Sequence, residues 1–444
     1  MHHYPHRFQQ QRHVRRFIIL SCLHRFDIFI LCMLGAVVLV PTRRASGFLV
    51  SSIAKQPLPR KTSTVTTTAA AVASKRPAIS VRKMSSSNEK KDSLLVHSFH
   101  GQLYIPLDKA IKVHGHPNVT FFDGSWWLGA PERARAQYEQ GPRIAGAHFF
   151  DIDDVAATSL DENPKQLPHM MPSPQLFAHV MANLFGIVSS SSSSSSDSPK
   201  KNHKHHLIVY GQDQCPFVHR AWYQLASFHD DASCVHLLEG SVLDWKAAGG
   251  PVDETILTSS PRVKDVLSSS LPSSPPDASY HAQTPTQIVD LEFMKTVVNN
   301  RHADSNNNNN NNNNQKTNYL VIDARPPERF RGEVEEPRPG LQRGRMPGSK
   351  NVFFKTLLQP DQLVVLKERS QLEDAFQQAG IPVHDPDTTI VTTCGSGATA
   401  CTLVAALVAC GRDPSTILVY DGSWAEWGAE PNVPIATGPP RDDE

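Results

Sequence analysis

Short apolar runs alternate with helix-like segments along most of the chain, and the same order occurs twice. Four of these runs have the length and composition of buried strands: 119–122, 207–210, 319–322 and 388–393. The second and fourth runs each precede an apolar helix pattern, at 220–228 and 399–410. Short buried strands that alternate with helices are typical of parallel α/β layers. The sequence therefore predicts two similar three-layer α/β domains, each with a mostly parallel central sheet.

Low-complexity segments interrupt this pattern and predict the domain boundaries. They are a Ser-rich insertion at 189–206, a Ser/Pro-rich linker at 256–284 and an Asn-rich insertion at 305–315. Such compositions cannot bury enough apolar surface to fold. The predicted domains are then 94–255 and 285–440. Three histidines of the first insertion lie among lysines and are interpreted as solvated: His203, His205 and His206.

The first 88 residues predict a targeting leader. They contain 14 Lys and Arg but one acidic residue, Asp27. The apolar run Ile28–Val40 spans 13 residues, which is too short to cross a membrane but suits a signal-peptide core. Small residues at 45–47 offer a cleavage point, and 48–82 is a Ser/Thr-rich, acid-free stretch typical of transit peptides. We expect a cleaved leader that directs the protein to an organelle, either a plastid through a bipartite leader or a mitochondrion.

Charge excludes one class of partner for the mature chain. Beyond the leader the chain carries 30 basic and 42 acidic residues, a net charge of −12. Nucleic-acid binding requires a positive surface, so we expect no nucleic-acid partner. We also expect no membrane attachment of the mature form and no metal, because the cysteines and histidines show no zinc-site spacing.

One cysteine has the sequence context of a nucleophile. The strand pattern 388–393 stops at Cys394, and Gly395 and Gly397 follow it before the helix pattern begins. Glycines let a loop curl so that its N–H groups point inward, and a helix N-terminus adds positive potential. These conditions predict an exposed thiol with a lowered pKa. Cys401 and Cys410 lie within the helix pattern and are interpreted as packing residues, while Cys215 precedes a proline and has no such loop.

These motifs identify a resemblance. The segments 394–401 (CGSGATAC) and 420–424 (YDGSW), with 123–126 (DGSW), 149–153 (FFDID) and 167–172 (LPHMMP), resemble the tandem-rhodanese sulfurtransferases of the 3-mercaptopyruvate type. The resemblance spans both halves. It implies two tandem rhodanese-like domains, a catalytically silent first domain and a persulfide on Cys394. Ala398 departs from the valine usual in that loop.

The resemblance also implies a set of site residues. The arginine motifs at 328–332 and 336–340 place Arg329 and Arg338 on the carboxylate and carbonyl of the donor, with Arg331 and Arg343 as weaker candidates. The family's proposed proton relay corresponds to Ser396, His169 and Asp153. The substrate-binding loop corresponds to Gly395, Gly397, Ala398 and Thr399.

The function expected from this resemblance is sulfur transfer without a cofactor. Cys394 would take sulfur from 3-mercaptopyruvate, release pyruvate and pass the sulfur to cyanide or to a thiol such as thioredoxin or glutathione. Two alternatives stay open: a thiosulfate sulfurtransferase, and a non-enzymatic sulfur carrier or binding module. The first alternative is disfavoured because Ser396 is uncharged, whereas a doubly charged donor needs a basic side chain after the cysteine. The arginine motifs argue against the second alternative. The sequence argues against a phosphatase of related fold, because residue 400 is alanine where such an enzyme needs an arginine.

Overall fold

Two parallel sheets organise the part of the chain that the structure describes. The computed structural model describes residues 86–188, 204–267, 280–306 and 318–441, all within one compact unit, Ala78–Glu444. The predicted leader up to residue 85, residues 189–203 and the Asn-rich residues 307–315 lie outside these ranges. Within them, every helix falls short of the length and apolarity that crossing a membrane requires.

The first half consists of a five-stranded parallel sheet and the helices around it. Its strands are β1 (Tyr104–Ile105), β2 (Val119–Asp123), β3 (Arg143–Ile144), β4 (His148–Phe149), β5 (His206–Gly211), β6 (Val235–Ser241) and β7 (Val252–Asp253). Its helices are α1 (Ser86–His97), α2 (Leu107–Lys112), α3 (Pro131–Gln140), α4 (Pro174–Asn183), α5 (Val218–Phe228), α6 (Val242–Ala247) and α7 (Val263–Val266). The sheet order is β1-β6-β5-β2-β4 with all pairs parallel, whereas β3 and β7 form a separate antiparallel pair.

The second half repeats this topology. Its strands are β8 (Ile288–Val289), β9 (Asn318–Asp323), β10 (Lys350–Asn351), β11 (Leu358–Gln359), β12 (Gln362–Leu366), β13 (Thr388–Thr393) and β14 (Ile417–Tyr420). Its helices are α8 (Leu291–Asn306), α9 (Pro327–Phe330), α10 (Arg369–Gln378), α11 (Ala400–Ala409) and α12 (Ser423–Trp427). The parallel sheet has the order β10-β9-β13-β14-β8, and β11 and β12 form an antiparallel hairpin.

Alternating side chains place each sheet between two helical layers. In β9 and β13, Ile322 and Ile390 face one layer while Val321 and Val391 face the other, as the two-residue period of a strand requires. One apolar core is common to both halves, since α4 and α5 of the first half contribute to the same cluster as α10 and α11 of the second. Helices α5 and α11 pack directly on each other. The predicted fold class, tandem three-layer α/β with mostly parallel sheets, is confirmed.

The predicted boundaries differ from the structure in two places. His206, assigned to the Ser-rich insertion, begins β5 and is buried, and its Nδ1 lies 2.9 Å from Nε2 of His236. Residues 256–267, assigned to the linker, include α7, and Ser260 is buried where its hydroxyl accepts from Arg135 at 2.8 Å. Composition alone suggested disorder for both, but partners distant in sequence supply the burial and hydrogen bonds that order them.

Candidate active site

The loop of residues 394–399 joins the central strand β13 to α11. The β-branched run before it forms the buried strand, and Gly397 provides the turn with φ +79°. A side chain at Gly397 is excluded because its Cβ would lie 2.8 Å from the backbone oxygen of Asp421. The loop therefore follows a path that only glycine at this position permits.

Helix α12 holds the first residues of this loop in place. The Cys394 N–H donates to Oγ of Ser423 at 3.1 Å. The N–H groups of Trp424 and Ala425 donate to the carbonyls of Cys394 and Gly395 at 3.0 and 2.9 Å. The N–H groups of residues 395–398, by contrast, have no acceptor among the described residues. The loop is thus anchored through its carbonyls and has backbone donors left for an anion.

The cysteine of this loop is buried, contrary to the exposure predicted from sequence. Cys394 is 2% exposed. The Arg329 guanidinium covers the neighbouring backbone, since its Nη2 lies 3.1 Å from where a Cβ of Gly395 would stand. Burial lowers the pKa of Arg338, and the charge of Cys394 is the strongest influence that opposes this lowering. Arg329 and Arg338, supplied by a segment distant in sequence, therefore bring positive charge to the cysteine loop.

A buried glutamate holds one of these arginines in place. Glu336 accepts from Nη1 of Arg325 at 2.8 Å through one oxygen, and from Nε of Arg329 at 3.2 Å and also from its Nη2 through the other. Arg325 also pairs with Asp323 at 2.8 Å and stacks on Trp424, with 4.1 Å from Cζ to the ring centre. Sequence reasoning missed the roles of Glu336 and Arg325, although Arg325 stands two residues after the acidic end of a buried strand and Glu336 begins the second arginine motif.

The weaker arginine candidates lie elsewhere. Arg331 pairs with Glu333 at 2.7 Å, and Arg343 pairs with Glu335 at 3.3 Å. Both pairs are on the surface, where such contacts contribute little. Neither arginine makes a contact with residues 394–399 among those that the structure describes.

Two members of the predicted relay are in contact and the third is not. The Nδ1 atom of His169 forms a short hydrogen bond with Asp153, whose other oxygen accepts from Nε1 of Trp126 at 2.7 Å. Burial tends to raise the pKa of Asp153, but the hydrogen bonds and charge of His169 outweigh it and the pKa is lowered. The Nε2 atom of His169 is buried and has no hydrogen-bond partner among the described residues. The hydroxyl of Ser396 forms no hydrogen bond with either residue.

An arginine of the first half joins this pair to the loop. Arg220, from α5, is completely buried, and its Nη1 donates to Oδ1 of Asp421 at 2.8 Å. The same nitrogen lies 3.4 Å from the carbonyl oxygen of Gly397, and Nη2 donates to the carbonyl of His169. No sequence pattern indicated a role for this residue, because its partners lie in separate motifs, most of them in the other half.

The first half has no equivalent of the cysteine loop. Cys215 is fully buried, its Sγ donates to the carbonyl of Trp126 at 3.3 Å, and burial raises the pKa of its thiol to about 11. Burial likewise raises the pKa of Cys401 to about 12 and of Cys410 to about 11. These three thiols are neutral at physiological pH, as expected of packing residues.

One group of residues has metal-ligand composition. His100, Asp231 and Cys234 place one ligand atom each within 4.8 Å of one another. The Lys204 ammonium, however, lies 2.7 Å from Nε2 of His100 and also donates to Asp231, so a protein cation already holds the position. We assign no metal to this cluster.

Comparisons with known proteins place these features in a family. A family model described as "Rhodanese-like domain" matches residues 306–430. The 3-mercaptopyruvate sulfurtransferase of Escherichia coli is 30% identical over 337 residues, covering 72% of this chain and 98% of that protein. The thiosulfate/3-mercaptopyruvate sulfurtransferase 1, mitochondrial, of Arabidopsis thaliana is 29% identical over 320 residues, covering 72% and 74%. The crystal structure of SseA from Escherichia coli, a 3-mercaptopyruvate sulfotransferase, aligns with a TM-score of 0.51 and 25% identity over 73% of this chain and 99% of that one.

Proposed function

We propose, for a chain that belongs to the tandem-rhodanese sulfurtransferases of the 3-mercaptopyruvate type, that its sulfur transfer proceeds through a persulfide on Cys394. The observation that carries this proposal is the loop itself. It places a cysteine at the carboxyl end of a central strand, near the positive charges of Arg329 and Arg338 and beside backbone N–H groups that have no acceptor among the described residues. No other cysteine among the described residues combines a loop of this kind with adjacent cations.

In the first step the Cys394 thiolate attacks the sulfur of 3-mercaptopyruvate. The bond between that sulfur and carbon breaks, and its electron pair stays on carbon as the enolate of pyruvate. The N–H groups of residues 395–398 stabilise the thiolate and then the persulfide, as donors in a dry site do for developing charge. The cationic groups above the loop lower the energy of the same anions.

Two arginines hold the donor while this happens. Arg329 and Arg338 suit the carboxylate and carbonyl of the substrate because guanidinium groups form paired, charge-assisted hydrogen bonds with such oxygens. The buried Glu336 restricts Arg329 to one orientation. Gly395, Gly397, Ala398 and Thr399 leave the space in which the substrate sulfur lies.

The departing enolate carbon needs a proton. We assign the delivery of this proton to the group formed by Ser396, His169 and Asp153. The unpaired Nε2 of His169 supports the assignment, because a ring nitrogen without a partner is available to a substrate or to the Ser396 hydroxyl. Asp153 fixes the ring through Nδ1. In the second step a thiol, such as that of thioredoxin or glutathione, takes the outer sulfur and regenerates Cys394.

Thiosulfate is a second candidate donor. It is favoured by the convergence of Arg329 and Arg338 on Cys394, since a doubly charged donor needs cations near the sulfur. It is disfavoured by residues 395 and 396, which are neutral. The mitochondrial relative from Arabidopsis thaliana carries both donors in its name.

Substitutions of Cys394 and of Cys215 test the proposal. Cys394→Ser should abolish sulfur transfer with the fold intact, since a hydroxyl is similar in size but too weakly acidic to ionise here. Cys215→Ser should retain nearly full activity. Intact-mass measurement after incubation with 3-mercaptopyruvate should show one added sulfur in the Cys215 variant and none in the Cys394 variant. The reverse pattern would assign the chemistry to the first half.

The arginines are tested by separating the half-reactions. Arg329→Ala and Arg338→Ala should each slow sulfur loading by about one to two decades, because a charge-assisted hydrogen bond contributes about 1.5–3 kcal/mol. Transfer of sulfur from the persulfide to a thiol should change less. Arg331→Ala is the matched control, since its surface ion pair with Glu333 is remote from the donor. Equal losses in both half-reactions would mean that the arginines maintain the loop and do not bind substrate.

We further propose an organellar location. The basic leader with its acid-free stretch 48–82 supports it, and the mitochondrial relative is consistent with it. The proposal leaves plastid and mitochondrion as the two destinations, which the leader experiment below distinguishes.

A further inference from the structure

Arg220 is a charged residue of the first half that is fully buried beneath the cysteine loop of the second. Its guanidinium contacts three structures at once: the Asp421 carboxylate at 2.8 Å, the Gly397 carbonyl at 3.4 Å and the carbonyl of His169. A fully buried guanidinium loses all its hydration, so it persists only where such partners replace the water. A fourth and longer contact joins its Nη1 to Sγ of Cys401 in α11 at 4.0 Å, so the partners of Arg220 lie in the cysteine loop, in the helix after it, in the segment after β14 and in the backbone of His169.

The carboxylate that Arg220 pairs with is itself part of the loop's support. Asp421 is 3% exposed, and its second oxygen accepts the N–H of Met171 at 2.7 Å. Two residues later, Ser423 accepts the N–H of Cys394 at 3.1 Å. Without Arg220, a buried negative charge would remain unpaired beside the loop that must stabilise a thiolate. Such a charge would oppose the ionisation of Cys394.

We propose that Arg220 is a positioning residue for sulfur transfer. It holds the Gly397 turn and the His169 backbone in fixed positions relative to each other, and it neutralises the charge of Asp421. A residue of the first half therefore maintains the geometry and electrostatics around Cys394 in the second. The inference rests on the proposed role of Cys394. Through Arg220, the catalytically silent half would contribute to the reaction in addition to supplying His169 and Asp153.

Several charged groups lie around Cys394, so the effect of the Arg220 charge must be distinguished from that of the others. The charged or titratable groups that approach the thiol or its loop are Arg329, Arg338, Arg220, Asp421, Cys401, His169, Asp153 and Glu336. Of these, the Arg220–Asp421 pair is the one in which the cation comes from the first half and the anion from the second. Removing only the cation leaves one extra negative charge; removing both leaves none.

Four variants of the full chain test the role: Arg220→Met, Arg220→Lys, Arg220→Met with Asp421→Asn, and Arg143→Met. Arg143 is the control because its guanidinium is also buried and ion-paired, with the more exposed Asp253 at 2.6 Å, but its partners all lie in the first half. The two readouts are the pH dependence of Cys394 alkylation by iodoacetamide and the rate of sulfur loading from 3-mercaptopyruvate. Thermal unfolding of each variant reports stability separately.

The expected results differ between variants. Arg220→Met should move the alkylation midpoint upward by about one pH unit or more and slow loading at pH 7 at least about tenfold, with the donor KM changed less than about threefold. The double variant should return the midpoint close to that of the unsubstituted protein, while loading stays slow because the contacts with Gly397 and His169 are lost. Arg220→Lys should keep the midpoint and load at an intermediate rate.

Two outcomes would overturn the inference. One is an unchanged alkylation midpoint in Arg220→Met; the other is an equal loss of loading in Arg220→Met and Arg143→Met at equal loss of stability. Either would leave Arg220 a purely structural residue. Alkylation needs no donor, so a failure of the proposed function would appear separately, as loading that persists in Cys394→Ser.

Discussion

A buried carboxylate with no cationic partner among the described residues ends β2, the strand beside the central strand β5 of the first half. Asp123 corresponds in position to Asp323, but Ser125 stands where the second half has Arg325. Its hydrogen bonds come from Ser125 and Gln212. Burial outweighs these contacts and raises the pKa of Asp123 to about 6. Both halves thus have an aspartate at this position, but only in the second half does an arginine pair with it.

This residue gives a pH-dependent stability. Because the folded pKa is above the unfolded value, the contribution of Asp123 is fully present below pH 4 and is lost as the pH rises to about 6. Asp123→Asn should therefore stabilise the protein at pH 7 by about 1–3 kcal/mol and have little effect at pH 4. Denaturant unfolding measured across this range checks it.

A control with the opposite sign is available in the same half. The pKa of Asp253 is lowered, since the hydrogen bonds and charge supplied by Thr255 and Arg143 outweigh the effect of burial. Asp253→Asn should destabilise the protein at pH 7 and less so in acid. If both variants shift stability in the same direction with pH, the assignment of the Asp123 pKa is wrong.

At the scale of elements, we expect the charge of the loop between β13 and α11 to influence the choice of donor. Ser396→Lys adds a positive charge near the sulfur and removes the proposed relay hydroxyl. The ratio of kcat/KM for thiosulfate to that for 3-mercaptopyruvate should rise at least about tenfold, because one well-placed charge contributes roughly 1–3 kcal/mol.

A substitution at the adjacent glycine is the control for steric disturbance. A Cβ at Gly395 would lie 3.1 Å from Nη2 of Arg329, so Gly395→Ala moves that arginine without adding charge. It should depress the use of both donors and leave their ratio nearly unchanged. An unaltered ratio in Ser396→Lys, in protein that still forms persulfide, would show that loop charge does not determine the donor.

How far the sequence could predict each element depended on where its interactions lie. The strand 388–393 and the helix after it follow from local pattern, and both were predicted within a residue or two. The burial of Cys394 was not predicted, because the segments around its loop, such as the arginine segment and α12, are distant from it in sequence. Arg220 could not be found either, since it and Asp421 are 201 residues apart in the chain.

At the scale of the whole molecule, the leader is expected to act independently of the folded part. Residues 1–83 fused to a fluorescent reporter should deliver it to an organelle and be cleaved, and the mature protein should begin near residues 84–92. Microscopy with plastid and mitochondrial markers, together with N-terminal sequencing, checks this. An uncleaved reporter in the cytosol would contradict the targeting argument, and a fusion that begins at residue 84 provides the control.

The apolar core that α5 and α11 share has a consequence for how the protein is made. Helix α5 ends at Phe228, and α11 is synthesised about 170 residues later. At a synthesis rate of about 5–20 residues per second, the apolar face of the first half stays exposed for roughly ten to thirty seconds before α11 can pack against it. During that time the nascent chain presents a surface that chaperones bind. Ribosome-bound chains that stop before residue 400 should therefore be rich chaperone clients, and full-length chains should not.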